Sequence, residues 1–301
     1  MTGEPSPRTQ SPLRRLRSAL YTPGDRPRAI EKAAALEADA LILDLEDAVS
    51  PDRKSAARAA APDAIAAFRS AGRYSVLRIH APGDAQTEDD LPCVGAARPD
   101  AVLIAKAEDA GALADLRASL THTGWSGPLW LMIETPRGVF LAEHLASSPG
   151  LADALGVSVL VAGGNDLAEG LRLPPGPGRR AGLAPHLSRL VLAARAAGLL
   201  VLDGVYNAHT DRPGFTEEAA GARALGFDGK TLIHPAQIAL CHDAFRPGGD
   251  EVTAARAIIA AFDDPANTGR GAIAVNGVMA ERLHLDAARA TLAAAGLDEG
   301  E

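Results

Sequence analysis

The chain has 301 residues, of which 47% are hydrophobic and 23% are charged, as is ordinary for a globular protein. Its formal net charge of −8 argues against a nucleic-acid partner, because phosphate binding requires a concentrated basic surface. No apolar run approaches the roughly 20 residues of a membrane span, and the N-terminus lacks an apolar signal-peptide core. The two cysteines, Cys93 and Cys241, have no metal-ligand spacing and fit a reducing compartment, so we expect a cytoplasmic protein without membrane contact.

Short runs rich in Val, Ile and Leu alternate along the chain with longer Ala-rich amphipathic segments. The predicted strands begin near Ala19, Leu41, Ser75, Ala101, Leu129, Ser158, Leu199 and Gly229. The first and last starts lie 210 residues apart, or 30 residues for each of the seven steps. An eightfold barrel of about 250 residues has a repeat of roughly 31 residues. No GxGxxG turn follows the first strand, which disfavours an open nucleotide-binding sheet. We therefore predict a (β/α)₈ TIM barrel over residues 14–245.

The intervening segments carry the start signals of helices. Asp25 precedes Pro27 at the first helix, and Pro51 and Asp52 precede the second. Thr216 is predicted to begin the helix TEEAAGARALG, with glutamates in the first turn.

Both ends of the chain lie outside the predicted barrel. Residues 1–13 have the composition of a disordered tail. Residues 246–301 are predicted to form a helical segment, with helices EVTAARAIIAAFDD and MAERLHLDAARATLAAAG joined by a loop, PANTGRGAIAVNGV. This extension exceeds what barrel closure needs, so it packs either on its own barrel or on a neighbouring subunit.

Charged side chains follow most of the predicted strands, at the end where barrel active sites lie. They are Asp44, Glu46 and Asp47 at the end of the second strand, Arg78 at the end of the third, Lys106 and Glu108 at the end of the fourth, Glu134 at the end of the fifth, Asp166 at the end of the sixth and His234 at the end of the eighth. Several carboxylates at one rim repel each other, and a divalent cation relieves that repulsion. Oxygen ligands without a His/Cys cluster favour Mg²⁺ over Zn²⁺.

Glu134 and Asp166 are separated by 32 residues, which is one strand–helix unit, so we expect them on adjacent strands. The glycines at 163 and 164 would let the backbone approach a ligand closely. A metal held by the two carboxylates and bound to a 2-oxo acid could stabilise an alkoxide or enolate. Arg78 could hold the carboxylate of the same substrate through a bidentate fork.

Structural roles compete with each of these assignments. A single carboxylate at a strand end is a salt-bridge partner or a helix cap as often as it is a functional group. Asp44 lies within its strand pattern and is interpreted as a structural hydrogen-bond acceptor. His80, His209 and His234 are interpreted as solvated or hydrogen-bonded histidines rather than bases. Lys106 is interpreted as a salt-bridge partner rather than a Schiff-base lysine.

At these residues the sequence resembles the citrate lyase β-subunit and malyl-CoA lyase family, within the HpcH/HpaI aldolase superfamily. The matching stretches run from about Arg17 to Ile238 and include RSALYTPGDRPRAIEKAAALEADALILDLEDAV, VLRIHAPG, LIAKAE, LMIETPRGV, AGGNDLA and GFDGKTLIHPAQI.

The resemblance implies that Glu134 and Asp166 ligate Mg²⁺, that Glu46 and Asp47 hold metal-bound waters, and that Arg78 contacts the 2-oxo acid. It also implies reversible cleavage of a 3-hydroxy-acid thioester into that oxo acid and an acetyl thioester, carried by CoA or by an acyl carrier protein. Family members form barrel oligomers, so a trimer or hexamer whose C-terminal segment crosses to a neighbour is expected.

Two positions depart from the family pattern. Glu281, in NGVMAERLHL, stands where CoA-dependent members carry the aspartate of a GxMID motif, to which acid/base chemistry across the subunit boundary is assigned. Glutamate moves the carboxylate by about 1.5 Å, and a misplacement of about 1 Å can cost about 10²-fold in rate. His80 replaces the commoner asparagine.

The leading hypothesis is therefore a Mg²⁺-dependent carbon–carbon lyase for a malyl-, citramalyl- or citryl-type thioester, with Arg78 and Glu281 as catalytic residues. A malyl-CoA-type thioesterase and a carrier-dependent subunit of a citrate lyase complex are the alternatives.

Overall fold

The structure is a computed structural model that describes residues 16–176 and 178–297. The predicted disordered tail at residues 1–13 lies outside these residues. The chain divides into two compact units, one ending at Ala244 and the other starting at Phe245. No helix within the described ranges is both long and apolar enough to span a membrane.

Eight parallel strands form a closed barrel in sequential order, with the first strand paired to the eighth. The strands are β1 (Ser18–Pro23), β2 (Ala40–Asp44), β3 (Tyr74–Ile79), β4 (Ala101–Ile104), β5 (Leu129–Ile133), β6 (Val157–Ala162), β7 (Leu200–Asp203) and β8 (Gly229–Leu232). Every predicted strand start lies within one residue of the observed one. The predicted (β/α)₈ barrel is confirmed.

Helices follow the strands around the barrel. They are α1 (Pro27–Ala34), α2 (Lys54–Ser70), α3 (Thr87–Ala97), α4 (Ala110–His122), α5 (Pro136–Ser147), α6 (Leu151–Leu155), α7 (Gly164–Gly170), α8 (Arg179–Ala196), α9 (Arg212–Leu225) and α10 (Gln237–Ala244).

The predicted helix starts at Asp25 and Thr216 need correction. The residue that caps α1 is Arg26, which makes no side-chain capping bond, so Asp25 is not a cap. Helix α9 begins at Arg212 rather than Thr216, because the Asp211 side chain accepts a hydrogen bond from the Gly214 N–H and starts the helix one turn earlier.

Alternate residues of the strands form one buried cluster inside the barrel. The cluster includes Ala40 and Ile42 of β2, Trp130 and Met132 of β5, and Val159 and Val161 of β6. Successive side chains of a strand point to opposite faces, so the other set packs against the helices. Trp130 stacks on the ring of Tyr74 at a centroid separation of 6.0 Å and fills much of this interior. Side chains thus fill the interior of the barrel, so a ligand site has to lie at the ends of the strands.

The C-terminal unit contains two helices, α11 (Gly249–Asp263) and α12 (Arg282–Ala295), which bury apolar side chains against each other. The predicted loop between them is wrong in part, because it contains an antiparallel hairpin of β9 (Ala272–Val275) and β10 (Val278–Glu281). Asn276 and Gly277 form its two-residue turn with φ of 51° and 80°, as type I′ turns require. The hairpin takes residues that were assigned to the second helix, which therefore begins at Arg282.

Candidate active site

A cavity of about 290 Å³ opens where seven of the strands end. Its walls come from the ends of β1, β2, β3, β5 and β6 and from the residues that follow β7 and β8. The lining residues are Tyr21, Asp44, Asp47, Ala48, Arg78, Met132, Glu134, Ala162, Gly163, Gly164, Asn165, Asp166, Val205, Asn207 and Ile233. Four of the predicted site residues, Asp47, Arg78, Glu134 and Asp166, therefore line one cavity.

Glu134 follows β5 directly and is almost fully buried, with 3% of its surface exposed. Its Oε1 accepts a hydrogen bond of 2.8 Å from the backbone N–H of Lys106. Its Oε2 lies next to Gly163, where an added Cβ would come within 2.9 Å of that oxygen and 2.2 Å of the Glu134 Cβ. The absence of a side chain at Gly163 is what makes room for the carboxylate.

Asp166 lies in the first turn of α7, directly after β6, and is half-buried. Its carboxylate forms no ion pair or hydrogen bond with any residue that the structure describes. The neighbouring Asn165 exchanges hydrogen bonds with Asn207 from the loop after β7, which ties the two loops together. Glu134 and Asp166 thus come from adjacent strands, as their spacing predicts.

The charge of this carboxylate pair is not balanced by the protein. Burial raises the pKa of Glu134 to about 7, and the negative charges of Asp166 and Glu46 add to the rise. The Lys106 N–H and the Arg78 guanidinium act in the opposite direction without cancelling it. No group of three or more His, Cys, Asp or Glu side chains among the described residues has metal-site geometry. The residues present fit a small hard cation held by two carboxylates, with its other positions left to water and substrate.

Arg78 lines the same cavity and is held by two other carboxylates, those of Asp44 and Glu46. Its Nε donates to Asp44 Oδ1 at 2.7 Å, its Nη2 pairs with Asp44 Oδ2, and its Nη1 lies 3.0 Å from Glu46 Oε2. The guanidinium also lies over the ring of Tyr21, 4.9 Å from its centroid. Asp44 is therefore a structural acceptor, as its position indicates. The fork of Arg78 is occupied by Asp44, so a substrate carboxylate has only the remaining N–H groups to reach.

Residues 17–235 match the family model described as HpcH/HpaI aldolase/citrate lyase. The chain belongs to this family. The family and the lyase class predicted from the sequence are confirmed.

Two relatives illustrate the range of activities in the family. One is a (3S)-malyl-CoA thioesterase of Cereibacter sphaeroides, 40% identical over 279 residues that cover 93% of this chain and 94% of the relative. The other is the citrate lyase subunit beta of Escherichia coli, 31% identical over 296 residues and 96% of each chain.

Solved structures of the family share the fold. CitE from Mycobacterium tuberculosis, in complex with magnesium, acetoacetate and coenzyme A, superposes with a TM-score of 0.77 at 32% identity, over 94% of this chain and all of that one. A citrate lyase beta subunit from the same organism, complexed with oxaloacetate and magnesium, has a TM-score of 0.67 at 34% identity and covers 79% of this chain and all of that one.

The loop after β2 places Glu46 and Asp47 differently. Glu46 is buried, and its carboxylate is held by Arg78, by the Asp47 N–H at 3.0 Å and by Lys106 Nζ at 3.3 Å. Asp47 is exposed at the cavity wall. Lys54 stabilises this loop, because its Nζ donates to the carbonyl oxygens of Leu45 and Glu46 at 2.9 and 2.8 Å.

Lys106 is a salt-bridge partner in this family member, as the sequence indicates. Burial alone would lower the pKa of Lys106, but the charges of Glu46 and Asp47 outweigh it and raise that pKa. A Schiff-base lysine requires a lowered pKa, so this environment disfavours that role.

Glu281 lies in the C-terminal unit, at the start of α12. Its N–H donates to His284 Nδ1 at 2.9 Å. The carboxylate itself makes no side-chain capping bond, and its catalytic role stays a prediction.

The three histidines have the modest roles expected of them. His80 is buried, with Nδ1 lying 2.6 Å from Asp90 Oδ2. His209 and His234 are exposed and stack on each other, with 4.8 Å between ring centroids.

Sequence reasoning missed a buried charge network behind β7 and β8. Lys230 Nζ donates to Asp203 Oδ2 and to Glu218 Oε1, each at 2.7 Å, and Arg180 forms a bidentate pair with Asp203 at 2.9 Å. Burial would raise the pKa of Asp203, but Lys230 and Arg180 outweigh it and hold that pKa low. The signal was present, since Lys230 lies within a predicted buried strand and a buried charge needs a partner.

Proposed function

We propose that the protein is a Mg²⁺-dependent carbon–carbon lyase that cleaves a 3-hydroxy-acid thioester into a 2-oxo acid and an acetyl thioester. The observation that carries the proposal is the pair of Glu134 and Asp166, which come from adjacent strands and line one cavity. The magnesium, acetoacetate, oxaloacetate and coenzyme A bound by the two M. tuberculosis relatives support it.

The residues in and next to the cavity would have different roles, which follow from their chemistry. Glu134 and Asp166 would hold Mg²⁺, which supplies positive charge where an oxygen of the substrate becomes negative. The N–H groups of Arg78 that are not paired with Asp44 or Glu46 would orient the carboxylate of the oxo acid. Glu46 and Asp47 would hold water around the ion.

Cleavage breaks the bond between the hydroxyl-bearing carbon and the carbon next to the thioester. The hydroxyl proton would pass to water held beside Glu46 and Asp47 as the ketone forms. The bonding electrons remain on the carbon next to the thioester, which must gain a proton from an acid. We propose Glu281 for this proton transfer, supplied by a neighbouring subunit of a homo-oligomer, because the C-terminal unit carries its carboxylate on a separate module.

The first experiment incubates purified protein and Mg²⁺ with malyl-, citramalyl- and citryl-CoA, with and without EDTA. Mass spectrometry scores acetyl-CoA, free CoA and the oxo acid separately. Metal-dependent acetyl-CoA with its matching oxo acid is the expected result. Glu134→Gln should abolish this product. Glu143→Gln is the control and should not abolish it, because Glu143 is a partly exposed residue of α5 that pairs with Arg189 of α8. Unchanged cleavage by Glu134→Gln refutes the proposal.

A thioesterase is the second candidate, and two observations favour it. The C. sphaeroides relative carries that name, and Glu281 replaces the aspartate usual in the lyases. Free CoA released with malate and without glyoxylate would establish hydrolysis. Turnover of carrier-protein thioesters alone would instead favour a citrate lyase subunit, the activity named for the E. coli relative.

A further inference from the structure

Lys106 has a backbone conformation that lysine rarely adopts. It follows β4 with φ of 46°, in the left-handed region. The residues on either side are fully buried alanines held by the barrel: the Ala105 N–H donates to the Ile79 carbonyl, and the Ala107 N–H donates to the Met132 carbonyl, each at 3.2 Å. Because both neighbours are bonded to adjacent strands, the barrel imposes the left-handed turn on the residue between them.

The turn directs the backbone of Lys106 at Glu134. Its N–H donates to Glu134 Oε1 at 2.8 Å, whereas Oε2 lies beside Gly163, which lines the cavity. The peptide of Lys106 therefore decides which oxygen of Glu134 remains available to a ligand.

The side chain of Lys106 acts on a second carboxylate. Its Nζ lies 3.3 Å from Glu46 Oε1, while Glu46 Oε2 is taken by Arg78 and by the Asp47 N–H. With both oxygens engaged, Glu46 is held away from direct coordination in the cavity.

We propose that Lys106 is the positioning residue of the metal site, its backbone aiming Glu134 and its ammonium restraining Glu46. The inference rests on the proposed function, because it takes Glu134 as a metal ligand. Its two parts are separable, since different substitutions change the backbone and the charge.

The charge is tested with Lys106→Met, which keeps an unbranched side chain and removes the ammonium. Removing a nearby positive charge should leave Mg²⁺ binding as tight as in the wild type or several-fold tighter. Turnover should nevertheless fall about 10-fold or more, because Glu46 Oε1 loses the partner that restrains it. Lys106→Arg should recover most of the kcat, which a merely structural role would not require.

The backbone is tested with Lys106→Gly and Lys106→Val. Glycine adopts positive φ freely, so Lys106→Gly should match Lys106→Met in Mg²⁺ affinity. A β-branched valine is strongly disfavoured there, so its peptide should turn away and Mg²⁺ affinity should fall about 10- to 100-fold. Calorimetric titration of the substrate-free protein measures each affinity. Arg98 provides the control, since it is an exposed residue with φ of 48° at the C-terminal end of α3. Arg98→Val should lower the Tm without changing Mg²⁺ affinity.

The inference is overturned if Lys106→Val binds Mg²⁺ like Lys106→Met, or if Lys106→Met turns over substrate like the wild type. The second comparison holds even if Lys106→Val does not fold. Glu134→Gln separates this failure from failure of the proposed function: if it loses Mg²⁺ binding, the metal site stands without the role of Lys106. If it keeps Mg²⁺ binding, both proposals fall.

Discussion

A single methyl group at Gly163 is expected to disable the metal site and leave the barrel folded. Gly163 has φ of −99°, which any residue adopts, so the obstacle is space rather than backbone conformation. The new Cβ would lie 2.2 Å from the Cβ of Glu134, whereas ordinary contact begins at 3.4 Å. Glu134 would have to retreat by about 1.2 Å, the difference between these distances.

A retreat of that size is large for a metal ligand. It would break the 2.8 Å hydrogen bond from Lys106 to Glu134 Oε1 and move Oε2 out of the cavity. Losing a partner that orients a ligand typically costs about 10- to 100-fold in metal affinity, and a misplacement of about 1 Å can cost about 10²-fold in rate. We expect both losses, with a stability cost of about 1–3 kcal/mol for the overpacking.

A glycine away from the cavity supplies the control. A Cβ at Gly221 of α9 would meet no atom within 4 Å, so Gly221→Ala should bind Mg²⁺ like the wild type. The assays are calorimetric Mg²⁺ titration, acetyl-CoA release and thermal unfolding of both variants. The reasoning is wrong if Gly163→Ala retains wild-type affinity, or if the two variants lose affinity equally.

Three further results are expected. Because the pKa of Glu134 is raised to about 7, Mg²⁺ must displace a proton below that pH, and its affinity should fall about tenfold per pH unit there; equal affinities at about pH 6 and pH 8 would contradict this. Lys230→Met leaves Asp203 charged and buried with one partner fewer, so the free energy of unfolding in urea should fall by about 3–5 kcal/mol; an unchanged midpoint would show that the network is dispensable. Glu281→Ala should lower kcat by about 10²- to 10⁴-fold and leave Mg²⁺ affinity unchanged, and full activity would remove Glu281 from the mechanism.

Much of the fold was accessible from local pattern. The spacing of apolar runs located all eight strands, because each strand of a parallel barrel is buried on both faces and appears as a mostly apolar segment. The same spacing placed Glu134 and Asp166 on adjacent strands. The hairpin at 272–281 was not predicted, although its Asn-Gly turn is a strong local signal. The predicted start of α9 lies four residues after the observed one, because the capping role of Asp211 was not recognised.

Other features depend on contacts between distant residues. The sequence offered Arg78 as a free fork for substrate, but Asp44, 34 residues away, occupies that fork. It showed Lys106 as a side chain, whereas the tertiary structure makes its backbone N–H the partner of Glu134. Neither pairing follows from spacing along the chain, because both depend on side-chain directions set by the neighbouring strands.

The sequence by itself therefore determined the barrel, the rim that carries the site and the carboxylates that meet there, since periodicity is a local property of the chain. Only the tertiary structure decided which oxygen of Glu134 faces the cavity, which cations are already paired, and that Gly163 must lack a side chain. These are differences of one or two ångströms, and they arise only when the strands close into a barrel and pack their ends together.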